Sequence, residues 1–371
     1  MRIVAIYHAL SLGGVQRILV DHTRCWAEEN HAVTVITEND ESQDAYRLHP
    51  DINRIVLGWS GPKRGPIRII RAILALRREI VRQRPDVVVG FGGIYALFVV
   101  LATLGLSCRR IGCEFGDPTR NRLRSIGEFL RRRSYRYLDA VTGETDAVRD
   151  WLKHNTSARR AVTIPKSVQW PLLPTGPGPA PDHFVEPLRK IIIAAGRLSP
   201  EKQFDALIAA FATIAAARPG WIAVILGEGP CRPALEAQIE AFGLKTRVLL
   251  PGQASDMATW YRRASLVAVT SATEGGPNVL IEGLAHGVPA ISFDCDYGPR
   301  TIIRDGLDGA LVPPGDVAAL ARTMAQLMDD DALRARMSAR PPEARERFSE
   351  ENLMGHWNAL FREIGLAGAT K

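Results

Sequence analysis

The apolar pattern of this chain runs through the same alternation twice, and that restart limits the folds open to it. The first run opens with "RIVAIY" and a Gly-Gly turn, continues through the helical pattern "VQRILVDHTRCWAEE" and reaches "AVTVIT". The strand-like runs "DVVVGF", "RRIGCEF", "DAVTGE" and "AVTIP" follow, with helical stretches between them. Short β-rich runs alternating with longer helical ones predict a parallel sheet covered on both faces. Residues 171–188 then bring six prolines and two glycines, which no regular element accommodates, and read as an inter-domain linker. Beyond them the alternation begins again with "KIIIAAG", a helix over 202–218, "WIAVILG", a helix over 231–242, "RVLLPG" and "LVAVT". The prediction is an α/β chain of two doubly wound domains sharing a cleft, residues 1–170 and 189–349. Ligands of such sheets sit beyond the carboxyl ends of the strands.

A length of 371 residues agrees with two domains. Hydrophobic residues at 46% and charged residues at 23% are the balance of a soluble globular protein. The opening reads as a strand and turn rather than a signal peptide. The longest apolar stretch, residues 94–106, is shorter than the roughly 20 residues a membrane-spanning helix needs. Five cysteines without a CxxC pair predict reduced thiols in a cytoplasmic protein. The net charge of +7 is uneven: residues 1–170 hold 27 Lys/Arg against 17 Asp/Glu. The basic half is expected to meet an anionic partner.

Three strand-to-helix loops carry candidate chemistry. In "AAGRLSPEK", Arg197 and Lys202 follow the strand end at Gly196, beside a helix start. Two such cations can clamp a diphosphate, Arg as a fork and Lys as a compact charge, with solvated surface charge as the alternative. In "LGEGP", Gly227 permits close backbone approach, and a tight turn without ligand accounts for it equally well. Neither half has GxGxxG in its first turn, which argues against a dinucleotide dehydrogenase. The third loop is "TEGGPNVLIEGLAHGVP". Glu274 sits where a strand has just ended, Gly275 and Gly276 leave backbone N–H groups accessible, and Pro277 suits a first helical turn. Asn278 and Val279 then present helix N-terminal N–H groups to an anion, with Glu282 one turn further on the same face. Carboxylates accept paired hydrogen bonds from vicinal diols, so a sugar on one side of a diphosphate and a ribose on the other would use both.

With "LPG…D" (Gly252), "DCDYGPRTIIRDGLDGALVPPGD" and "ERFS", these blocks occur in the order typical of retaining family-4 glycosyltransferases. The opening "SLGGVQRILV", with Gly13 and Gly14, resembles that family's acceptor-domain start. The resemblance covers nearly the whole chain. It implies the GT-B fold of two Rossmann-like domains, with a final helix near 350–371 returning to the first. It implies a nucleotide-sugar donor, UDP-linked by expectation, bound through Gly196, Arg197, Lys202, Gly227, Gly252 and the block from Glu274 to Glu282. By resemblance Arg197 and Lys202 hold the diphosphate, Glu274 contacts the transferred sugar and Glu282 the ribose. No cofactor and no metal is expected, and "DCD" (294–296) reads as a strand end. "CEFGDP", with Glu114 on the acceptor side, is similar to bacterial enzymes that add hexoses or N-acetylhexosamines to lipid-linked glycans. The chain departs from the family at Gly276 (commonly aromatic), at Glu114-Phe115 (Glu-Arg), at Lys166 (often Asn) and at Thr301 (often Glu). It reads "FGG" where many members carry an acceptor-side histidine. A GT-B nucleotide-sugar epimerase and a non-catalytic nucleotide-sugar-binding protein are the alternatives.

Residues 63–84 predict an amphipathic helix with Arg64, Arg68, Arg71, Arg78 and Arg82 on one stripe. Ile69, Ile73, Leu76 and Ile80 take the other side. A second basic segment, 120–137, contains Arg131, Arg132 and Arg133. Together they predict peripheral binding to the anionic inner face of the cytoplasmic membrane, or to the phosphates of a lipid-linked acceptor. Nucleic acid is not expected, since no stacking or helix-turn-helix signature accompanies the charge.

Overall fold

The computed structural model describes residues 1–11, 13–40, 42, 44–58, 66–119, 125–174 and 178–366. It divides into two compact units, Met1–Ser167 with Glu350–Lys371, and Val168–Ser349.

The first unit is built on seven strands: β1 (Arg2–Tyr7), β2 (Ala32–Thr37), β3 (Asn53–Val56), β4 (Val87–Phe91), β5 (Arg109–Glu114), β6 (Ala140–Gly143) and β7 (Ala161–Thr163). All pair in parallel, in the order β3-β2-β1-β4-β5-β6-β7, so the order reverses between β1 and β4. Val87, Val88, Val89 and Phe91 are buried, as the central strand of a sheet covered on both faces requires. The C-terminal helix Glu350–Glu363 packs into this unit, with Trp357 edge-on to Trp26 at 4.9 Å. Arg24 joins Glu28 to Glu350 at its start.

The second unit has six parallel strands: β8 (Lys190–Ala195), β9 (Trp221–Leu226), β10 (Val248–Gly252), β11 (Ala264–Val269), β12 (Ala290–Phe293) and β13 (Gly309–Val312). Their order is β10-β9-β8-β11-β12-β13, and the reversal falls between β8 and β11. Ile191, Ile192, Ile193, Leu266 and Val267 are fully buried at that centre.

Two expectations need correction here. Residues 171–188 are not a free linker. Leu172 and Val185 are buried in the core of the second unit, Pro181–His183 forms a 3-10 turn, and Trp260 Nε1 donates to the Pro179 carbonyl at 2.8 Å. Proline keeps this stretch out of the sheet by removing N–H donors, but it leaves the apolar side chains between prolines able to bury. The helix expected over 202–218 is Phe204–Ala215, preceded by the 3-10 turn Pro200–Lys202. Gln203 stands between the two at φ 46°, in the left-handed region that interrupts a continuous helix.

Candidate functional site

The second unit gathers the candidate donor residues at its strand-order reversal. The loop after β11 is stitched to the loop after β8: Thr270 Oγ1 donates to the Lys202 and Gln203 carbonyls at 3.1 and 3.0 Å. The Ala272 N–H donates to the Glu201 carbonyl at 2.8 Å. This places the Lys202 ammonium 2.5 Å from Glu274 Oε1, which also accepts from Ser271 Oγ at 2.7 Å. Gly196 lies against the lysine stem, where a Cβ would stand 3.4 Å from Lys202 Cε. Arg197, one residue on, is exposed; its carbonyl accepts from the Ser199 N–H at 2.9 Å, and its guanidinium makes no hydrogen bond or ion pair with another described residue.

The glycines of this edge serve its construction. A Cβ on Gly227 would lie 1.9 Å from the Gly196 carbonyl oxygen, and the Gly227 N–H donates to the Gly252 carbonyl at 2.8 Å. The loops after β8, β9 and β10 therefore pack backbone on backbone. Gly276 sits at φ 146°, where glycine is favoured, and accompanies a close approach of the next loop. There a Cβ on Gly298 would stand 3.0 Å from the Glu274 carbonyl oxygen and 3.1 Å from the Gly276 nitrogen. Gly275, Gly276 and Pro277 are buried.

Pro277 is the N-cap of the helix Asn278–Ala285 rather than a residue of its first turn, and Asn278 and Val279 lead that helix, half-buried. Glu282 is 3% exposed, so its carboxylate is held from within the unit. Tyr261, itself buried, donates its hydroxyl to Glu282 Oε2 at 2.8 Å. Sequence reasoning missed Tyr261 and Ser271: Tyr261 reaches Glu282 from the preceding helix, 21 positions earlier, which no local spacing reveals, whereas Ser271 stands three residues before Glu274 in the same loop and that spacing was a usable signal.

In the first unit Gly13 caps the helix Gly14–Glu28, at a φ of 169° that any residue adopts. Glu114 ends β5 and is buried against Arg131 and Tyr135, both of which donate to its Oε1. Burial pushes this carboxyl above its ordinary range despite the opposing charge of Arg131. Arg131 also forks onto Glu128, at 2.9 and 2.7 Å. Arg131 is therefore corrected from a lipid- or phosphate-facing residue to a buried structural cation, 1% exposed. "FGG" explains part of this: a Cβ on Gly93 would stand 2.5 Å from Arg131 Nη1 and 2.6 Å from Glu114 Oε1. Arg132 is half-buried, bonded to Glu128 at 2.6 Å and stacked over Trp151, while Arg133 is exposed. Lys166 pairs with buried Glu144 at 3.2 Å.

On the helix Pro66–Gln83, Arg71, Arg78 and Arg82 are exposed; Arg64 lies outside the described residues, as does the side chain of Arg68. Leu76 and Ile80 are buried, but Ile69 is exposed, together with Ile70, Leu74 and Val81. The arginines thus neighbour a second, outward apolar stripe. The helix Gly93–Ala102 packs between this helix and Ser125–Ser134, whose Ile126, Phe129 and Leu130 are exposed too. No helix among the described residues is long and apolar enough to cross a membrane.

Asp294 of "DCD" is bound by Arg300 at 2.9 and 2.7 Å. Among the described residues the three-ligand cluster with metal-like spacing is Cys25, Glu28 and Glu350, where Arg24 already bridges both carboxylates. All five cysteines are free.

Comparison with known proteins agrees with this fold. Residues 12–169 match the model for Glycosyltransferase Family 4, and residues 182–343 that for Glycosyl transferases group 1. The chain is 25% identical to a Campylobacter jejuni GalNAc-alpha-(1->4)-GalNAc-alpha-(1->3)-diNAcBac-PP-undecaprenol alpha-1,4-N-acetyl-D-galactosaminyltransferase, over 98% of this chain and 99% of that protein. It is 36% identical over 230 residues to an exopolysaccharide phosphotransferase of Streptomyces coelicolor, covering 61% of this chain but 24% of that protein's length. A mutant of S. aureus TarM, solved with fondaparinux, alpha-GlcNAc-glycerol and UDP, superposes with a TM-score of 0.78 at 15% identity, over 97% of this chain and 99% of that one.

Proposed function

Since the chain belongs to the group 1 glycosyl transferases, with a family-4 domain ahead of the group 1 domain and the GT-B fold, we propose that it moves a hexose or N-acetylhexosamine from a UDP-sugar to a lipid-linked or polysaccharide-precursor acceptor. The observation that carries this is the 2.5 Å contact of Lys202 Nζ with Glu274 Oε1 at the carboxyl edge of the second unit's sheet. In this reading the second unit holds the donor and the first recognises the acceptor.

The chemistry follows from where charge develops. As the glycosyl bond breaks, the departing diphosphate gains negative charge. Exposed Arg197 offers it a fork, and Lys202 has two N–H groups beyond the one given to Glu274. The N–H groups at Asn278 and Val279 add a helix N-terminus. Groups fixed before the reaction stabilise this charge without reorganising, which is where they accelerate the step. Glu274, oriented by Lys202 and Ser271, accepts from hydroxyls of the transferred sugar, and Glu282 from the ribose. With cations in these places the transfer proceeds without a divalent metal; retention at the anomeric carbon is taken from the family resemblance. The names of the C. jejuni relative and of the TarM complex support a lipid-linked acceptor and a uridine donor.

The first unit fits work on the inner face of the cytoplasmic membrane. Arg71, Arg78 and Arg82 attract anionic headgroups, while Ile70, Leu74, Phe129 and Leu130 supply apolar area to enter between them. The decisive assay combines UDP-hexoses and UDP-N-acetylhexosamines with polyprenyl-diphosphate-linked glycans, in the presence of EDTA, and reads the product linkage by NMR. An α-linked product from an α-configured donor is expected. A β-linked product, or activity that returns only with added metal, contradicts this reading.

A further inference from the structure

Behind Glu282 the second unit builds a layered support that the donor contacts alone do not require. Tyr261, from the helix Met257–Arg263, donates to Glu282 Oε2 at 2.8 Å in a buried setting. His286 lies on the Tyr261 ring, centroids 5.2 Å apart and planes 33° apart, and its Nδ1 is 2.7 Å from the Glu282 carbonyl. Trp170 meets His286 edge-on at 4.8 Å, and Arg345 lies over Trp170 at 3.5 Å while donating to the Ala285 carbonyl at 2.8 Å. The Tyr261 hydroxyl thus holds the carboxylate, and three other side chains hold the helix that carries it.

We infer that Tyr261 is a positioning residue that sets the affinity for the nucleotide's ribose hydroxyls by holding the Glu282 carboxylate in one orientation. This rests on the donor-site reading above. A buried glutamate has several side-chain rotamers, and a ribose diol rewards only the one that presents its oxygen correctly. The Tyr261 hydroxyl selects that rotamer before ligand arrives, lowering the ordering cost of binding. His286 prevents the tyrosine ring from turning away. Its position in "GLAHGVP" is otherwise unexplained by phosphate or sugar chemistry.

The test is calorimetric binding of UDP and GDP, each also as the 2′,3′-dideoxy form, to wild type, Tyr261→Phe, Glu282→Ala and the double variant. Tyr261→Phe is expected to weaken the hydroxylated nucleotide about tenfold, the worth of one charge-assisted hydrogen bond, and to leave the dideoxy form unchanged. Glu282→Ala and the double variant should bind every ligand alike. That comparison stands even if Tyr261→Phe alone folds poorly, since removing both partners leaves neither of these two groups without the other. Equal weakening of the dideoxy form by Tyr261→Phe, or a further loss in the double variant, overturns the inference. If wild type binds neither nucleotide, or Glu282→Ala costs nothing, the donor reading fails first and the inference with it.

Discussion

Lys202 and Glu274 lie 72 positions apart in the chain and meet at 2.5 Å, each half-withdrawn from solvent. The pair makes a lysine and a glutamate do different work from either alone. Glu274 fixes where the ammonium points, and under the proposed function the ammonium lets a carboxylate sit beside a diphosphate without repelling it. Glu274→Gln should therefore lower kcat about a hundredfold while changing the affinity for the nucleoside diphosphate little. Lys202→Ala should lower both. Steady-state kinetics with calorimetry separates the two outcomes.

The buried charge cluster of the first unit gives a stability prediction. Arg131 answers Glu114 and Glu128 together, so Arg131→Ala leaves the buried Glu114 carboxylate with the Tyr135 hydroxyl in place of a cation and takes from Glu128 one of its two arginines. A loss of about 3 kcal/mol or more in urea denaturation is expected. Arg133→Ala, at an exposed position, should cost almost nothing.

Membrane association separates the arginines in the same way. Replacing Arg71, Arg78 and Arg82 by glutamate should abolish sedimentation with anionic vesicles at low salt, and replacing Ile70 and Leu74 by serine should weaken it. Salt should reverse the wild-type binding. Neutral vesicles should bind neither form.

Acid should loosen the first unit through His22. This ring is buried among Trp26, Phe91 and Trp357, and burial, with the Lys166 charge second, lowers its pKa from 6.5 to about 3. A base whose folded pKa lies below its unfolded one stabilises fully above 6.5 and loses that contribution as pH falls toward 3. The slope is at most about 1.4 kcal/mol per pH unit. Between these limits Tm should fall more steeply with decreasing pH for wild type than for His22→Leu.

Much of the fold could be read before its coordinates, for a physical reason: buried parallel strands such as "DVVVGF" and "KIIIAAG" must be apolar throughout, and the loops between strands and helices must turn. What escaped reading depends on distant partners. Arg131 belongs to a charge run, and only the arrival of Glu114 from β5 makes it a core residue. Residues 171–188 have a linker's composition, yet Leu172 and Val185 find a core to enter. At the proposed donor edge, the types and spacing of Lys202, Glu274 and Glu282 were visible in the sequence. Ser271, three residues before Glu274, lay within reach of local spacing, whereas Tyr261 became visible only when its helix met Glu282.

The most direct test of the donor site is the thermal shift produced by nucleoside diphosphates and nucleotide sugars on wild type and on Glu282→Ala. At a hundred times its dissociation constant a ligand adds about 2.7 kcal/mol to the folded state, a readily measured rise in Tm. The account predicts that a uridine diphosphate series stabilises the wild type and that Glu282→Ala loses most of that rise. Failure of every nucleotide to shift the wild type, or an undiminished shift in Glu282→Ala, contradicts it.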